Sequence, residues 1–522
     1  MLTPTAPTTE QPGFTRWWIE HPAAIRYAGL AGSIALGIDA WIFGAFPTIR
    51  NHVTPQIVAT GHNGVLIMSL WILGTIALAG AWWVGRGLVG RGVITAKWTV
   101  VTAGLWMLPM LFIPPIGSRD VYAYSCQGAL YAGGGNPYHQ GVSSLPCPWL
   151  DSVSVVWRDT PTPYGPLFIM LAGAASRLGS LTAAIISFRV LAVIGVAIIA
   201  MSLPPIARRL SLPTDRVLWL VLACPLVVVN LVGGAHNDAL TIGLLMAAIA
   251  VIVTRYDRMS GLIISGALIG LSIAIKPTIL VAVPFVALYA AGGADVPGGP
   301  EAVVHPLGRH PMGHGPLGFP PVSDMLERGS AVLISALVAL GVPTLISGLG
   351  FGWVSALIHA GGEPSWTSPS TSVGTSLDAL LRVFGVHVNL VPATRDIGLG
   401  LMVIALILIF WRARYADRFY AAGLALLAVT FFAPIAQPWY LIWPLVMIAI
   451  TNVRARWFYV AVMVACFAAM PDGVGLDGLA RLPLSIAVAL TAIWGVVQGI
   501  AWLRGTQPSE YPSSEYPRSV NS

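Results

Sequence analysis

Uninterrupted apolar stretches, each long enough to cross a bilayer, constrain this chain more than any other feature. Residues 65–84 carry no charge at any position, and a hydrocarbon core of about 30 Å needs roughly 20 apolar residues rising 1.5 Å each. Comparable stretches recur along the chain. Only 9% of the 522 residues are charged and 56% are hydrophobic, whereas a soluble domain carries roughly 25% charged residues. The fold class expected is all-α integral membrane, a polytopic helical bundle of about 12–14 transmembrane helices.

Basic residues set the orientation. Crossings are expected over 28–46, 65–84 and 99–116, and Arg86, Arg91 and Lys97 place the connection between the second and third in the cytoplasm. Residues 117–168 then form a large extracytoplasmic loop. The stretch 167–181 is short and rich in Gly, Ala and Ser, so it reads as re-entrant or interfacial. Further crossings are expected over 187–206, 217–232, 240–253, 262–275, 278–291, 331–351, 397–411, 419–432, 440–450, 458–469 and 484–503. The resulting domain plan is a cytoplasmic tail over 1–26, a transmembrane domain over 27–504 and a disordered cytoplasmic tail over 505–522. Within the transmembrane domain, 292–328 reads as a flexible cytoplasmic linker and 352–396 as a second extracytoplasmic loop. The first 25 residues lack an apolar core, so no cleavable signal peptide is expected. The net charge of +7 is scattered between apolar spans, which points to membrane topology and membrane lipids rather than nucleic acid.

The loop 117–168 has the makeup of a structured surface. It holds Tyr122, Tyr124, Tyr131, Tyr138, Trp149, Trp157 and Tyr164, with turn signals at 133–137 and 161–166. Cys126 and Cys147 share it. Outside the cytoplasm they either form a disulfide closing about 20 residues, worth roughly 3 kcal/mol, or remain free thiols. His305, His310 and His314 lie among flexible Gly and Pro residues, and no metal site is expected.

Three polar islands fall on the extracytoplasmic side of this layout: 118–120, 236–238 with Lys276, and 437–440. Asp120 follows the third crossing directly. It reads either as a general base accepting a hydroxyl proton or as the partner of Arg119 in an interfacial ion pair. Arg119 is the candidate for facing lipid phosphate. Lys276, at a helix break before Pro277, either snorkels to the interface or neutralises the phosphate of a lipid-linked sugar. His236, Asn237 and Asp238 follow glycines that allow close approach of a ligand, with helix-end hydrogen bonding as the alternative. Gln437, Trp439 and Tyr440 open a span with an amide and two rings, suited to stacking on a sugar or to the interface belt. Asp39 sits within the first crossing, where a carboxylate must face the bundle or the span must shift.

Six motifs, in this order and at these separations, resemble a known family: SRDVYAYSCQGAL (118–130), GGNPY (134–138), PTPYGP (161–166), GGAHND (233–238), KPT (276–278) and QPWY (437–440). They resemble the actinobacterial polyprenyl-phosphomannose-dependent α-(1→6)-mannopyranosyltransferases, of the GT-C superfamily of multi-span glycosyltransferases. The resemblance implies a GT-C-like bundle with a structured first extracytoplasmic loop in the plasma membrane, and catalysis on the extracytoplasmic face. It implies Asp120 as general base; the reading of the residues themselves adds Lys276 and Arg119 toward the donor phosphate, and His236, Asn237, Asp238, Tyr164, Gln437, Trp439 and Tyr440 toward sugar and acceptor. The donor would be polyprenyl-phosphate mannose and the acceptor a lipid-anchored α-mannan of lipomannan and lipoarabinomannan, with inversion at the anomeric carbon and no cofactor. In the family an acidic residue, often Glu, follows the His-Asn pair, and here it is the shorter Asp238. Two rivals share the hydrophobic plan: a GT-C arabinosyltransferase, and a transporter or flippase of lipid-linked sugars.

Overall fold

The computed structural model describes Trp17 and residues 21–47, 55–292, 320–360, 367–413, 416–453, 455–473, 486–488 and 490. The C-terminal tail, most of the N-terminal tail, His305, His310, His314 and nearly all of the expected last crossing lie outside the described residues, and the helix that starts at Pro22 takes in the end of the expected N-terminal tail. What is described is helical, with no β-strand among the described residues. The first two long helices, α1 (Pro22–Phe43) and α2 (Gly64–Val89), pack along one another. After α3 (Ala96–Met107) and a 3₁₀ turn (Pro109–Phe112), the loop begins with α4 (Asp120–Ala132) and ends in α5 (Pro166–Ser176). Next come α6 (Leu181–Arg209), α7 (Thr214–Leu222), a π-helical turn (Val227–Gly233), α8 (Asp238–Arg255), α9 (Met259–Ile273), a 3₁₀ turn (Pro277–Ala282) and α10 (Val283–Gly292). The C-terminal part adds α11 (Ser330–Ser347), α12 (Trp353–Ala360), α13 (Pro369–Val383), α14 (Val391–Arg412), α15 (Arg418–Phe432), a 3₁₀ turn (Pro438–Leu441), α16 (Ile442–Ala449) and α17 (Arg456–Ala465).

Five helices among the described residues are long and apolar enough to cross a membrane: α2, α6, α8, α11 with the turn before it (Val322–Ser347), and α14. The count becomes six if α7 and the π-helical turn form one span bent by 57°. Several other expected crossings are apolar helices of 10–17 residues, α9, α15 and α17 among them. Proline marks breaks between helices, one of them, at Pro225, inside an expected crossing. Pro225 separates α7 from the π-helical turn, and Pro277 and Pro438 each open a 3₁₀ turn, because a proline supplies no N–H to the preceding turn. The outward apolar side chains of α14, such as Ile397, Ile404 and Ile407, are more than half exposed, as befits a helix bathed in lipid.

Helix ends follow local chemistry. Ser180 caps α6 by accepting from the Ala183 N–H, Thr95 caps α3 by accepting from Trp98, and the Asp417 carboxylate caps α15 by accepting from Phe419 and Tyr420. Small residues let backbones meet where α6 crosses α8: a Cβ at Gly195 would overlap the Ala239 carbonyl. The interior of the bundle is locked by Trp82 and Trp219, whose indoles each donate to the other's carbonyl at 3.3 and 2.9 Å. Asp39 is fully buried toward the bundle, in electrostatic range of Asp472.

The loop makes a hydrophobic cluster of its own. Tyr122, Tyr124, Tyr138, Phe168 and Ile169 are buried there with Phe188 of α6, Ile275 after α9 and Trp353 of α12. Many of the rings noted in the sequence therefore build a core that holds the loop as a folded unit. Cys126 and Cys147 are joined by a disulfide, their Cα atoms 5.6 Å apart. The end of the loop is fastened to the end of α9 by main-chain bonds, from Gly165 N–H to the Ile275 carbonyl and from Leu167 N–H to the Ala274 carbonyl, both 2.9 Å. That close approach requires glycine, since a Cβ at residue 165 would overlap the Ala274 carbonyl.

Candidate active site

Asp120 is the first residue of α4, where the helix dipole favours a carboxylate, and its N–H donates to Ser118 Oγ at 3.1 Å. Its side chain is 20% exposed, whereas the groups beneath it are sealed. Asp120 Oδ2 lies 3.6 Å from Nδ1 of the fully buried His236. His236 follows a strained approach. The π-helical turn leads through Gly234 to Ala235, which takes the left-handed conformation at φ 53°, unfavourable by about 1–2 kcal/mol for a residue with a Cβ. Arg189 of α6 pins the start of that approach by donating to the Gly233 carbonyl at 2.9 Å and to the Ile113 carbonyl at 2.7 Å.

Burial holds the His236 imidazole below its ordinary value; the carboxylates of Asp120 and Asp238 oppose this and Lys276 reinforces it. Neutral imidazole is the form expected. Tyr124 OH stands 3.4 Å from both His236 Nδ1 and Asn237 Oδ1. Burial, then Tyr164 and Asp120, hold its phenol well above the usual range, so it keeps its proton. The Trp439 ring covers His236 with centroids 4.2 Å apart.

Deeper in the site, Lys276 Nζ donates to both oxygens of Asp238 at 2.8 and 2.9 Å, and the Trp443 indole donates to Asp238 Oδ1 at 2.7 Å. The ammonium is boxed by rings, with Tyr440 at 4.5 Å, Trp443 at 4.9 Å and Tyr164 at 5.8 Å from their centroids. Tyr164 reaches this box because the Gly165 splice lies next to it. Among the expected site residues, Asp120, His236, Asn237, Asp238, Lys276, Tyr164, Trp439 and Tyr440 thus form one contiguous constellation. Gln437 precedes the 3₁₀ turn at its edge and is half-buried. Arg119 is turned to the loop, its guanidinium donating to the carbonyls of Phe46 at 3.2 Å and Ser152 at 3.3 Å.

Three buried polar atoms here have no hydrogen-bond partner: His236 Nε2, Asn237 Nδ2 and Trp439 Nε1. Such atoms are unfavourable when dry, and a polar ligand satisfies them. Beside them a small cleft of about 30 Å³ runs along Gly117, Asn230 and Pro438, with Leu36, Trp71 and Met470 among its walls. Trp443 lies inside an apolar run, where an indole carries no polar signal in the sequence. Its one signal is the spacing of three residues from Tyr440, which puts both on one helical face, and the two rings stack at 4.3 Å. No cluster of three or more metal-ligating side chains occurs among the described residues.

The fold and site define a helical membrane protein whose polar centre is enclosed by a folded loop and several broken helices. Comparison with known proteins makes this specific. Residues 26–292 match the model of the α-(1→6)-mannopyranosyltransferase N-terminal domain, and residues 370–498 match the MptB C-terminal domain. The chain is 31% identical over 503 residues to α-(1→6)-mannopyranosyltransferase A of Mycobacterium tuberculosis, covering 93% of this chain and 91% of that one. It is 28% identical over 436 residues to α-(1→6)-mannopyranosyltransferase A of Corynebacterium glutamicum, covering 80% and 82%. It is 25% identical over 475 residues to α-(1→6)-mannopyranosyltransferase B of the same organism, covering 84% and 75%. No solved structure matches the chain. The chain belongs to the α-(1→6)-mannopyranosyltransferase family and is a mannosyltransferase.

Proposed function

We propose that this enzyme moves mannose from polyprenyl-phosphate mannose to the 6-hydroxyl of a lipid-anchored α-mannan, the backbone of lipomannan and lipoarabinomannan, on the extracytoplasmic face of the plasma membrane. The observation that carries this reading is the partly exposed Asp120 carboxylate on one side of His236, the buried, charge-paired Lys276 in electrostatic range of the same ring, and three unpartnered polar atoms among them. The acceptor hydroxyl gives its proton to Asp120 as its oxygen attacks the anomeric carbon. The bond from that carbon to the phosphate oxygen breaks, its electron pair stays on the polyprenyl phosphate, and the anomeric centre inverts. Lys276 spends two N–H bonds on Asp238, which leaves the third for a phosphate oxygen. Asn237 Nδ2, Trp439, Tyr440, Tyr164 and Gln437 wall the sugar. Arg119 serves by holding the loop that carries Asp120. In this reading the loop 117–168 is the catalytic insert of one transmembrane domain.

The test uses purified protein in lipid vesicles with labelled polyprenyl-phosphate mannose and an α-(1→6)-oligomannoside. Asp120→Asn should lower kcat by about 10²–10⁴-fold with the fold retained. An undiminished rate removes Asp120 from the chemistry, and movement of the lipid-linked sugar without transfer favours a transporter. For the face, a cysteine at exposed position 140 should react with an impermeant thiol reagent applied from outside; labelling only from the cytosolic side overturns the orientation.

A further inference from the structure

The transfer proposed above gives His236 no task, although its Nδ1 lies 3.6 Å from Asp120 Oδ2. We propose that His236, as the neutral tautomer with its proton on Nδ1, is a positioning residue that steers Asp120 Oδ2 onto the acceptor hydroxyl. This inference rests on the assignment of Asp120 as the base.

The tautomer follows from the neighbours of Nδ1. An ionised Asp120 has only acceptor atoms. Tyr124 has one proton, and Asn237 Oδ1, equally near at 3.4 Å, can only accept it. That leaves phenol lone pairs facing Nδ1. With an acceptor on each side, the imidazole proton belongs on Nδ1.

The ring itself has little freedom. Trp439 covers one face, Ala235 fixes the backbone in the left-handed region, and Arg189 ties the preceding carbonyl. Asp120 differs: it stands at the open end of α4 with part of its side chain in solvent. At 3.6 Å the contact is longer than a hydrogen bond. Resting enzymes often hold such contacts long and close them when substrate binds. A base left to swing by about 1 Å loses around 10²-fold in rate.

An amide series reads this directly, because the Asn nitrogen takes the place of histidine Nδ1 and the Gln nitrogen that of Nε2. At saturating donor and acceptor, His236→Ala should lower kcat by about 10²-fold, His236→Asn should recover most of that loss, and His236→Gln should not. In the Asp120→Asn background, adding His236→Ala should change kcat by less than about twofold, since the guided group is gone. A loss as large in that background as in the wild type overturns the inference, and so does recovery by Gln equal to or better than Asn. Should the Ala variant not fold, the comparison of Asn with Gln decides alone. Asp120→Asn at the wild-type rate would overturn the base assignment and this inference together, whereas an impaired Asp120→Asn with additive His236 effects overturns only the inference.

Discussion

Lys276→Met exposes the logic of the buried pair. Asp238 is wholly shielded from solvent, and Lys276 is 8% exposed. Removing the ammonium leaves a carboxylate with the Trp443 indole and no cation, a change that destabilises by about 3–5 kcal/mol. Lys276→Met with Asp238→Asn removes the stranded charge, and replacing such a pair as a whole is close to neutral, so most of the loss should return. The readout is thermal inactivation in detergent, followed by tryptophan fluorescence and by the fraction of protein that stays monodisperse. The same double variant then tests the phosphate contact in a folded protein. A hydrogen bond from an ammonium to a phosphate contributes about 1.5–3 kcal/mol, so the apparent KM for the lipid-linked donor should rise about 10–100-fold. Two results would refute the reasoning: a single Lys276→Met variant as stable as wild type, or a double variant no better than the single. A stable double variant with wild-type donor use would leave the pair structural and take Lys276 away from the phosphate.

Two further outcomes follow from the loop. Reducing the disulfide, or replacing Cys126 and Cys147 by Ser, frees a bridge spanning 21 residues and should destabilise the loop by about 3 kcal/mol, measured as faster proteolysis within 117–168; equal protection would show that the aromatic cluster holds the loop unaided. Gly165→Ala forces a Cβ onto the Ala274 carbonyl and strips two main-chain bonds of about 1 kcal/mol each, so both stability and kcat should fall. A wild-type rate would mean that the splice does not position Tyr164 and Lys276.

The chain itself made some of this legible. Asp120, His236–Asp238, Lys276 and Gln437–Tyr440 stood out because each is polar in apolar surroundings, where it is unfavourable without a reason, and the structure brings these positions to one constellation. Hydropathy could not reveal who pairs with whom. Lys276 and Asp238 are 38 residues apart, and their contact depends on how α8 meets the end of α9. Trp443 was invisible because an indole in an apolar run looks like core. The rings of 117–168 read as a surface, yet Tyr122, Tyr124 and Tyr138 are interior, since a folded loop needs a core of its own. Helix lengths were the least legible, because Pro225 interrupts a run that hydropathy sums as continuous, whereas the breaks at Pro277 and Pro438 fall between the expected crossings.

The Gly165 fastening has a further corollary. Being made of main-chain atoms, it responds to chain length rather than to side-chain type. Substitutions that respect the available space leave it alone, but inserting or deleting one residue between Asp120 and Gly165 would pull the loop's far hem out of step with the end of α9, and Tyr164 would miss the ammonium it now faces.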